Sequence, residues 1–374
     1  MDPIVCIHCP NGRIIGSLLG HVNGGLRASQ PDGGLALRLP KFDYLEPHTL
    51  EEALELRSKA GERGEILAGG TDLLVRMKQR LKRPSFLITL KNLKELEGVM
   101  MAEGELTIGA KTSLRDVIRS PWIQRYAKGL AEALSSVGAY TIQHVRGTIG
   151  GNLCQDTRCL YYNQSAFWRS GRAPCHKVGG KICYAREGSD RCRSTNQSDG
   201  ATALLALDAR VTLQSLRGER TLGVSDLFTM KGEAPLDISS DEILTTIRIP
   251  IASQSAASAY ERISYRSAID FPVACAAVVI EAEDRTIKRA RIAVGAMGNA
   301  PLLMIQAAEL LDGKSLDDEE ARAKAAKIAM DHASAFAVDN VGATVEWRVS
   351  MVEVLVRRAL RRACEAARGI REGS

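Results

Sequence analysis

The chain has 374 residues, 45% of them hydrophobic, and a formal net charge of +6. That length allows one large domain or two to three ordinary ones, with a sizeable core. Its 50 basic and 44 acidic residues are too evenly matched for a nucleic-acid binder, which concentrates basic residues in a stripe. No apolar run approaches the ~20 residues needed to span a bilayer. The first residues lack the basic and long apolar regions of a secretory signal. The expectation is a cytoplasmic protein with reduced thiols, no membrane contact and no nucleic acid.

Residues 1–36 are glycine-rich and poor in apolar periodicity, and read as a poorly ordered N-terminal extension. Cys6 and Cys9 form a C-x-x-C with no second pair at zinc-finger spacing, which disfavours a metal there. Order is expected from Phe42. Thr49 and Glu52 make a capping box before a helix over Leu50 to Ala60. The apolar run Ile66-Leu67-Ala68 meets Gly69-Gly70-Thr71-Asp72, and a helix follows from Leu73 to about Leu81. The basic run Arg76 to Arg83 reads as the polar face and end of that helix. Strands are expected at Phe86 to Leu90 and near Leu106 to Gly109, then one helix from Leu114 to about Val137.

Beyond the central stretch Gly147 to Asp199, a helix over Ala201 to Asp208 and strands over Ala209 to Gln214 and Glu242 to Ile249 are expected. A Ser/Ala-rich linker near Ile251 to Ser258 separates a second domain. There Tyr260 to Tyr265, Val273 to Ala282 and Ile287 to Val294 read as a three-stranded antiparallel meander. Helices follow at Leu302 to Leu311, Asp317 to Ala333 and Ala343 to Arg368. Sheet first and helices after indicate an α+β fold. The expected domains are 37–253 and 256–370, with an insertion at 154–193.

The chemistry sits in two glycine-rich turns and a cysteine-rich loop. The turns are Ala68-Gly69-Gly70-Thr71-Asp72 and Gly147-Thr148-Ile149-Gly150-Gly151-Asn152. Glycine lets backbone N–H groups approach a phosphate closely. Neither turn fits the Rossmann or P-loop pattern. Threonine and asparagine beside them suit a pyrophosphate held by backbone donors and short polar side chains.

The loop carries Cys154, Cys159, Cys175, Cys183 and Cys192, five of the nine cysteines. From Cys159 the intervals are 16, 8 and 9 residues. So long a loop with few apolar residues needs a reason to fold, and metal–thiolate bonds supply one. Four thiolates suit a [4Fe–4S] cluster or a tetrahedral zinc. The absence of a local C-x-x-C pair favours iron–sulfur over zinc or unliganded thiols. Cys154 reads as a buried thiol near the second glycine-rich turn, His176 as loop surface, and Cys275 and Cys364 as core residues.

The runs Leu67 to Leu73, Gly147 to Asn152 and Tyr265-Arg266-Ser267-Ala268-Ile269-Asp270-Phe271-Pro272 resemble the FAD-binding subunit of the xanthine dehydrogenase and molybdenum hydroxylase family. The resemblance implies a two-lobed PCMH-type FAD-binding domain followed by a small α+β domain. It implies that Leu67, Ala68, Gly69, Gly70, Thr71, Asp72 and Leu73 wrap the FAD pyrophosphate. Gly109 and Ala110 would line the second lobe, and Thr148, Gly151 and Asn152 would take the phosphates and sugar or ribityl chain. Asp199 would take a hydroxyl of the nucleotide half, although it also reads as a helix N-cap or first-turn residue before Ala201 to Leu207, and both roles can hold at once. Leu244 would pack beside the isoalloxazine. Arg262 falls where many members have Lys, and its flavin contact is less fixed. Asp270 reads equally as a turn residue before Pro272.

The runs Asn152-Leu153-Cys154-Gln155-Asp156-Thr157-Arg158-Cys159, Tyr161 to Ser165 and Phe167-Trp168-Arg169 resemble the β subunits of 4-hydroxybenzoyl-CoA reductases. That branch is set apart by an inserted [4Fe–4S] loop, and its ligand set matches Cys159, Cys175, Cys183 and Cys192. The resemblance implies an electron-transfer subunit that works beside a molybdopterin-containing catalytic subunit and a [2Fe–2S] subunit, with ferredoxin as donor. The ring chemistry, dehydroxylation to benzoyl-CoA, would belong to the partner. The alternatives are the flavin subunit of a related aromatic or heterocycle hydroxylase, a zinc-stapled scaffold subunit, and a stand-alone FAD oxidoreductase.

Overall fold

A computed structural model describes residues 38–251 and 256–372, all within one compact unit spanning 36–374. The extension 1–36, with Cys6 and Cys9, and the centre of the expected linker lie outside the described residues.

The first lobe contains β1 (Asp43–Leu45), α1 (Leu50–Ala60), β2 (Gly64–Leu67), α2 (Leu73–Lys78) and β3 (Phe86–Thr89). Its strands form a parallel sheet in the order β1-β3-β2. Helix α1 begins where the capping box places it. Thr49 Oγ1 accepts from Glu52 N at 3.1 Å, and Glu52 Oε2 accepts from His48 N at 2.8 Å. Helix α2 stops short of the expected Leu81, and Arg80 turns the chain with φ +58.

The second lobe is built on a five-stranded antiparallel sheet in the order β4-β5-β8-β6-β7. Its strands are β4 (Val99–Ala102), β5 (Glu105–Gly109), β6 (Arg210–Ser215), β7 (Gly218–Gly223) and β8 (Ile243–Pro250). Between β5 and β6 run α3 (Leu114–Arg119), α4 (Pro121–Tyr126), α5 (Lys128–Ser135), α6 (Gln143–Arg146), α7 (Ile149–Leu153), α8 (Ala166–Ser170) and α9 (Asp199–Ala206). The single helix expected from Leu114 to Val137 is therefore three. Pro121 brings no backbone N–H, and Ser120 before it is extended at ψ 125. Ala127 breaks the run again at φ −139. Short α10 (Val224–Leu227) follows β7.

The C-terminal domain carries the three long antiparallel strands β9 (Ala256–Ile263), β10 (Ala274–Glu283) and β11 (Thr286–Gly295). A two-residue edge strand, β12 (Leu302–Leu303), adds a fourth. The expected helix from Leu302 is this strand followed by α11 (Ile305–Glu309). Helices α12 (Glu319–Ser334) and α13 (Val345–Glu372) cover one face of the sheet, and α5 and α9 pack on the other. One hydrophobic core therefore runs from Leu130, Leu134 and Leu204 through to Cys275, Val279 and Ala293 of the second domain. Another lies under α12 and α13 and contains Cys364. Cys275 and Cys364 are core residues, as the sequence indicated. Among the described residues no helix is long and apolar enough to cross a membrane.

Candidate functional site

The two glycine turns meet. A Cβ on Gly69 would overlap the Arg146 carbonyl oxygen and stand 2.9 Å from Gly147 Cα, so only glycine lets the turns approach this closely. Gly70 follows at φ +73, a conformation that L side chains rarely adopt. No hydrogen bond from the backbone N–H groups of Gly69, Gly70, Thr71, Asp72 or Leu73 is recorded among the described residues. Five successive donors without a protein acceptor form a concavity suited to a phosphate-type anion.

Opposite them, Thr148 caps α7, its Oγ1 accepting from Gly151 N at 3.0 Å. Asn152 is buried, and Ser198 Oγ and Gly200 N donate to its Oδ1 at 2.9 and 3.1 Å. The carbonyl end of its amide is held by the protein, and no acceptor is recorded for its NH2 end. A cleft of about 830 Å³ opens between these walls. That is within the ~300–1,000 Å³ typical of small-molecule sites.

Of the residues singled out from the sequence, Ala68, Gly69, Gly70, Thr71, Asp72, Leu73, Ala110, Thr148, Gly151, Asn152, Asp199 and Leu244 line the cleft. Leu67 and Gly109 lie behind it. Leu67 ends β2, and Gly109 ends β5, its Cα packed against the Leu96 carbonyl. Arg262 is not in the lining either. Its Nη1 donates to Asp199 Oδ1 at 3.0 Å, and its Nη2 to the Asp270 carbonyl at 3.0 Å. Tyr260 Oη donates to the same Asp199 oxygen at 2.6 Å. Burial pushes the Asp199 carboxyl up, with Arg262 and Tyr260 pulling it back. The cap of α9 is Ser198, and Asp199 is the acidic first-turn residue of the helix, so the competing structural role holds beside its contacts to Arg262 and Tyr260. The motif Tyr265 to Pro272 is the β9–β10 loop, and its Ile269, Asp270 and Phe271 reach the cleft.

The side chains that sequence reasoning missed are charged. Arg76 Nη2 meets Asp156 Oδ2 at 2.7 Å, and its Nη1 lies 3.7 Å from Asp72 Oδ2. Arg158 donates to Asp72 Oδ1 and stacks over Phe271, 4.6 Å from the ring centroid. Lys177 Nζ donates to Asp156 Oδ1 and Thr157 Oγ1, each at 2.6 Å, and to the Gly232 carbonyl. Burial opposes ionisation of Asp156, but Lys177 and Arg76 outweigh it and hold its carboxyl below the usual range. Three of these residues, Asp156, Arg158 and Lys177, belong to the cysteine loop. Arg76, in a run read as a solvated helix face, is nearly buried.

The loop leaves and re-enters the second lobe through a bridge between Arg158 and Thr195, each N–H donating to the other carbonyl at 2.7 Å. Cys159, Cys175, Cys183 and Cys192 lie within it as free thiols. Burial pushes Cys159 up to about 12, and the nearby Cys192 and Cys183 thiols add to the rise. Burial likewise raises Cys192, with Cys175 adding to it. Ser194 N lies 3.4 Å from Cys192 Sγ. Among the described residues no group of three or more His, Cys, Asp or Glu side chains is placed to hold a metal ion, so the expected ligand set Cys159, Cys175, Cys183 and Cys192 is not assembled. Cys154 lines the cleft, and burial pushes its thiol to about 12. His176 Nε2 bonds the Ser189 carbonyl at 3.0 Å.

Residues 40–252 match the family described as the FAD binding domain in molybdopterin dehydrogenase, and residues 258–363 match the CO dehydrogenase flavoprotein C-terminal domain. The nicotinate dehydrogenase FAD-subunit of Eubacterium barkeri is 29% identical over 281 residues, 74% of this chain and 82% of that protein. The carbon monoxide dehydrogenase medium chain of Hydrogenophaga pseudoflava is 26% identical, covering 86% and 96%. A solved carbon monoxide dehydrogenase from H. pseudoflava, in a form lacking the Mo-pyranopterin moiety, superposes with a TM-score of 0.73. It is 25% identical and covers 88% of this chain and 99% of that one.

Proposed function

The chain belongs to the family of FAD-binding domains of molybdopterin dehydrogenases, and from that premise we propose that it is the FAD- and [4Fe–4S]-containing electron-transfer subunit of a molybdenum-dependent complex of the 4-hydroxybenzoyl-CoA reductase type. Its partners in this reading are a molybdopterin-containing catalytic subunit, a [2Fe–2S] subunit and ferredoxin as donor. The ring chemistry, reductive dehydroxylation to benzoyl-CoA, lies on the catalytic partner.

Ala68 to Leu73 offer successive backbone N–H groups to the FAD pyrophosphate, with Leu67 fixing the end of the strand that presents them. Thr148, Gly151 and Asn152 form the facing wall, and Ala110 and Leu244 give it apolar surface, with Gly109 behind. Asp199 accepts from a hydroxyl, and Arg262 acts through Asp199. Cys159, Cys175, Cys183 and Cys192 hold the cluster. When bound, FAD supplies exchange of two electrons or one, and the cluster exchange of one at a time.

The observation that carries this reading is the anchoring of the thiol loop to the flavin cleft. Lys177, Asp156, Arg76, Asp72 and Arg158 form one continuous chain of ion pairs from the loop to the first glycine turn. A second reading, the FAD subunit of a heterocycle hydroxylase, is favoured by the resemblance to a nicotinate dehydrogenase subunit.

The test is anaerobic purification with iron, sulfide, zinc and flavin analysis, repeated on Cys175→Ser. About four irons and four sulfides per FAD are expected in the wild type. The variant should lose iron and keep FAD. FAD without iron would remove the reductase assignment and leave the flavin fold standing. Turnover of an N-heterocycle by the iron-replete complex, with none of 4-hydroxybenzoyl-CoA, would establish the second reading.

A further inference from the structure

Asp199 stands where the two domains meet. It opens α9 in the second lobe, and two residues of β9 in the C-terminal domain reach it. Tyr260 Oη and Arg262 Nη1 both donate to its Oδ1, at 2.6 and 3.0 Å. No protein donor to Oδ2 is recorded among the described residues. The carboxylate is gripped by one oxygen, and the other is left for the cleft that Asp199 lines. Asn152 shows the same division, its Oδ1 held by Ser198 and Gly200 and its NH2 end left over.

Tyr260 is itself fixed. It is buried, its backbone N–H donates to Glu132 Oε2 of α5 at 2.9 Å, and its carbonyl accepts from Arg362 Nη1 of α13 at 2.9 Å. The strand that carries the phenol is thereby tied to both domains. Burial, helped by the Asp199 charge, pushes the phenol well above its ordinary value, so it stays an O–H donor through the neutral range. The other titratable neighbour recorded beside Asp199 is Cys275 of β10, pushed up to about 11 by burial. Arg291 of β11 serves the far end of α9, donating to the Leu205 and Ala206 carbonyls at 3.0 Å each.

We propose that Tyr260 is a positioning residue for the cofactor: from the C-terminal domain it holds one oxygen of Asp199 and turns the other into the cleft, where it accepts from a hydroxyl of FAD. The proposal rests on the reading of Asp199 as that acceptor. An ionised carboxylate accepts a stronger hydrogen bond than a neutral acid, so the phenol acts twice, on the direction of Asp199 and on its charge. Burial pushes the Asp199 carboxyl up, and Arg262 and then Tyr260 pull it back. Without the phenol O–H the carboxyl takes its proton at a higher pH, and FAD affinity is lost earlier as the pH falls.

The experiment strips the full-length chain of flavin and titrates it with FAD by fluorescence quenching from about pH 4.5 to pH 8. The proteins are the wild type, Tyr260→Phe, Asp199→Asn and the double variant, with Tm measured on each apoprotein. Tyr260→Phe should lower FAD affinity about tenfold, and the pH at which affinity falls should rise. Tyr260→3-fluorotyrosine, a stronger O–H donor of nearly the same size, should move that pH the opposite way and tests the same bond if Tyr260→Phe fails to fold. The profile should be flat in Asp199→Asn and in the double variant. Affinity and profile unchanged in Tyr260→Phe, with Asp199→Asn weakened, overturn the proposal. So does a loss of affinity in Tyr260→Phe with no movement along pH, which would make the phenol a core-packing group alone. Wild-type FAD affinity in Asp199→Asn would instead overturn the reading of Asp199 as acceptor, so the two failures are separate.

Discussion

Gly69 packs its Cα against the peptide that joins Arg146 to Gly147, and the two halves of the cofactor cleft are joined at that contact. Gly69→Ala must drive its methyl into a backbone carbonyl, which cannot rotate away as a side chain can. The expected outcome is a loss of about 1–3 kcal/mol in stability and a flavin content cut by tenfold or more in the folded fraction. Urea unfolding and the flavin-to-protein ratio after gel filtration check both. Gly70→Ala, strained by its positive φ alone, should cost about 1 kcal/mol and less flavin.

Asp199 and Arg262 form a pair with both side chains nearly buried. Asp199→Ala leaves the guanidinium without its counter-charge and should cost about 3–5 kcal/mol. Arg262→Met combined with Asp199→Leu should recover most of that loss, because no buried charge remains. Flavin affinity should stay low in the double variant, since the acceptor is gone. Full flavin binding in the double variant would contradict the role assigned to Asp199.

The pH dependence of the loop anchor follows from Asp156. Its carboxyl is depressed in the folded state, so the stability it contributes is fully present above the unfolded value of about 3.9 and is lost as pH falls through the folded value. Asp156→Asn should therefore lower Tm by a constant amount from about pH 5 to pH 8, and the gap should shrink below about pH 4. A gap that varies across pH 6 to 8 would show that another group governs the anchor.

Arg348 is fully buried, with Tyr265 and the Asp339 carboxylate only partly offsetting the effect of burial on its charge. It donates to the carbonyls of Val273 at 3.1 Å, Val338 at 2.8 Å and Ala296. Burial lowers its pKa to about 10, still well above neutrality. Arg348→Met strands three buried acceptors and should cost about 3–5 kcal/mol. Arg348→Lys should recover part of the loss. Flavin content of the folded fraction should not change, because these bonds lie within the C-terminal domain.

The parts of the site set by local chemistry were legible in the sequence. Gly69 and Gly70 announce themselves because no other residue fits the backbone they form. Arg76, Asp156, Arg158 and Lys177 were not legible, because charged side chains look solvated until a distant segment supplies the partner. Arg262 was placed at the cleft by its position in the motif, and the structure sets it one residue back, acting on Asp199. Strands β1 and β12 are too short for an alternating pattern to show. The break at Ser120-Pro121 was available from proline alone and was hidden by the apolar spacing around it.

Ser198 Oγ bonds the Asn152 carbonyl at 2.8 Å, and the Arg158–Thr195 bridge closes the chain a second time just outside that contact. The 36 residues between Arg158 and Thr195 are an excursion whose two ends already touch. Closing a loop costs little more as it grows longer, so the stem tolerates a long cargo or none. This makes the cysteine segment a portable cassette. A flavin subunit with the same stem could acquire it in one step, or shed it, without repacking the cleft or the core beneath.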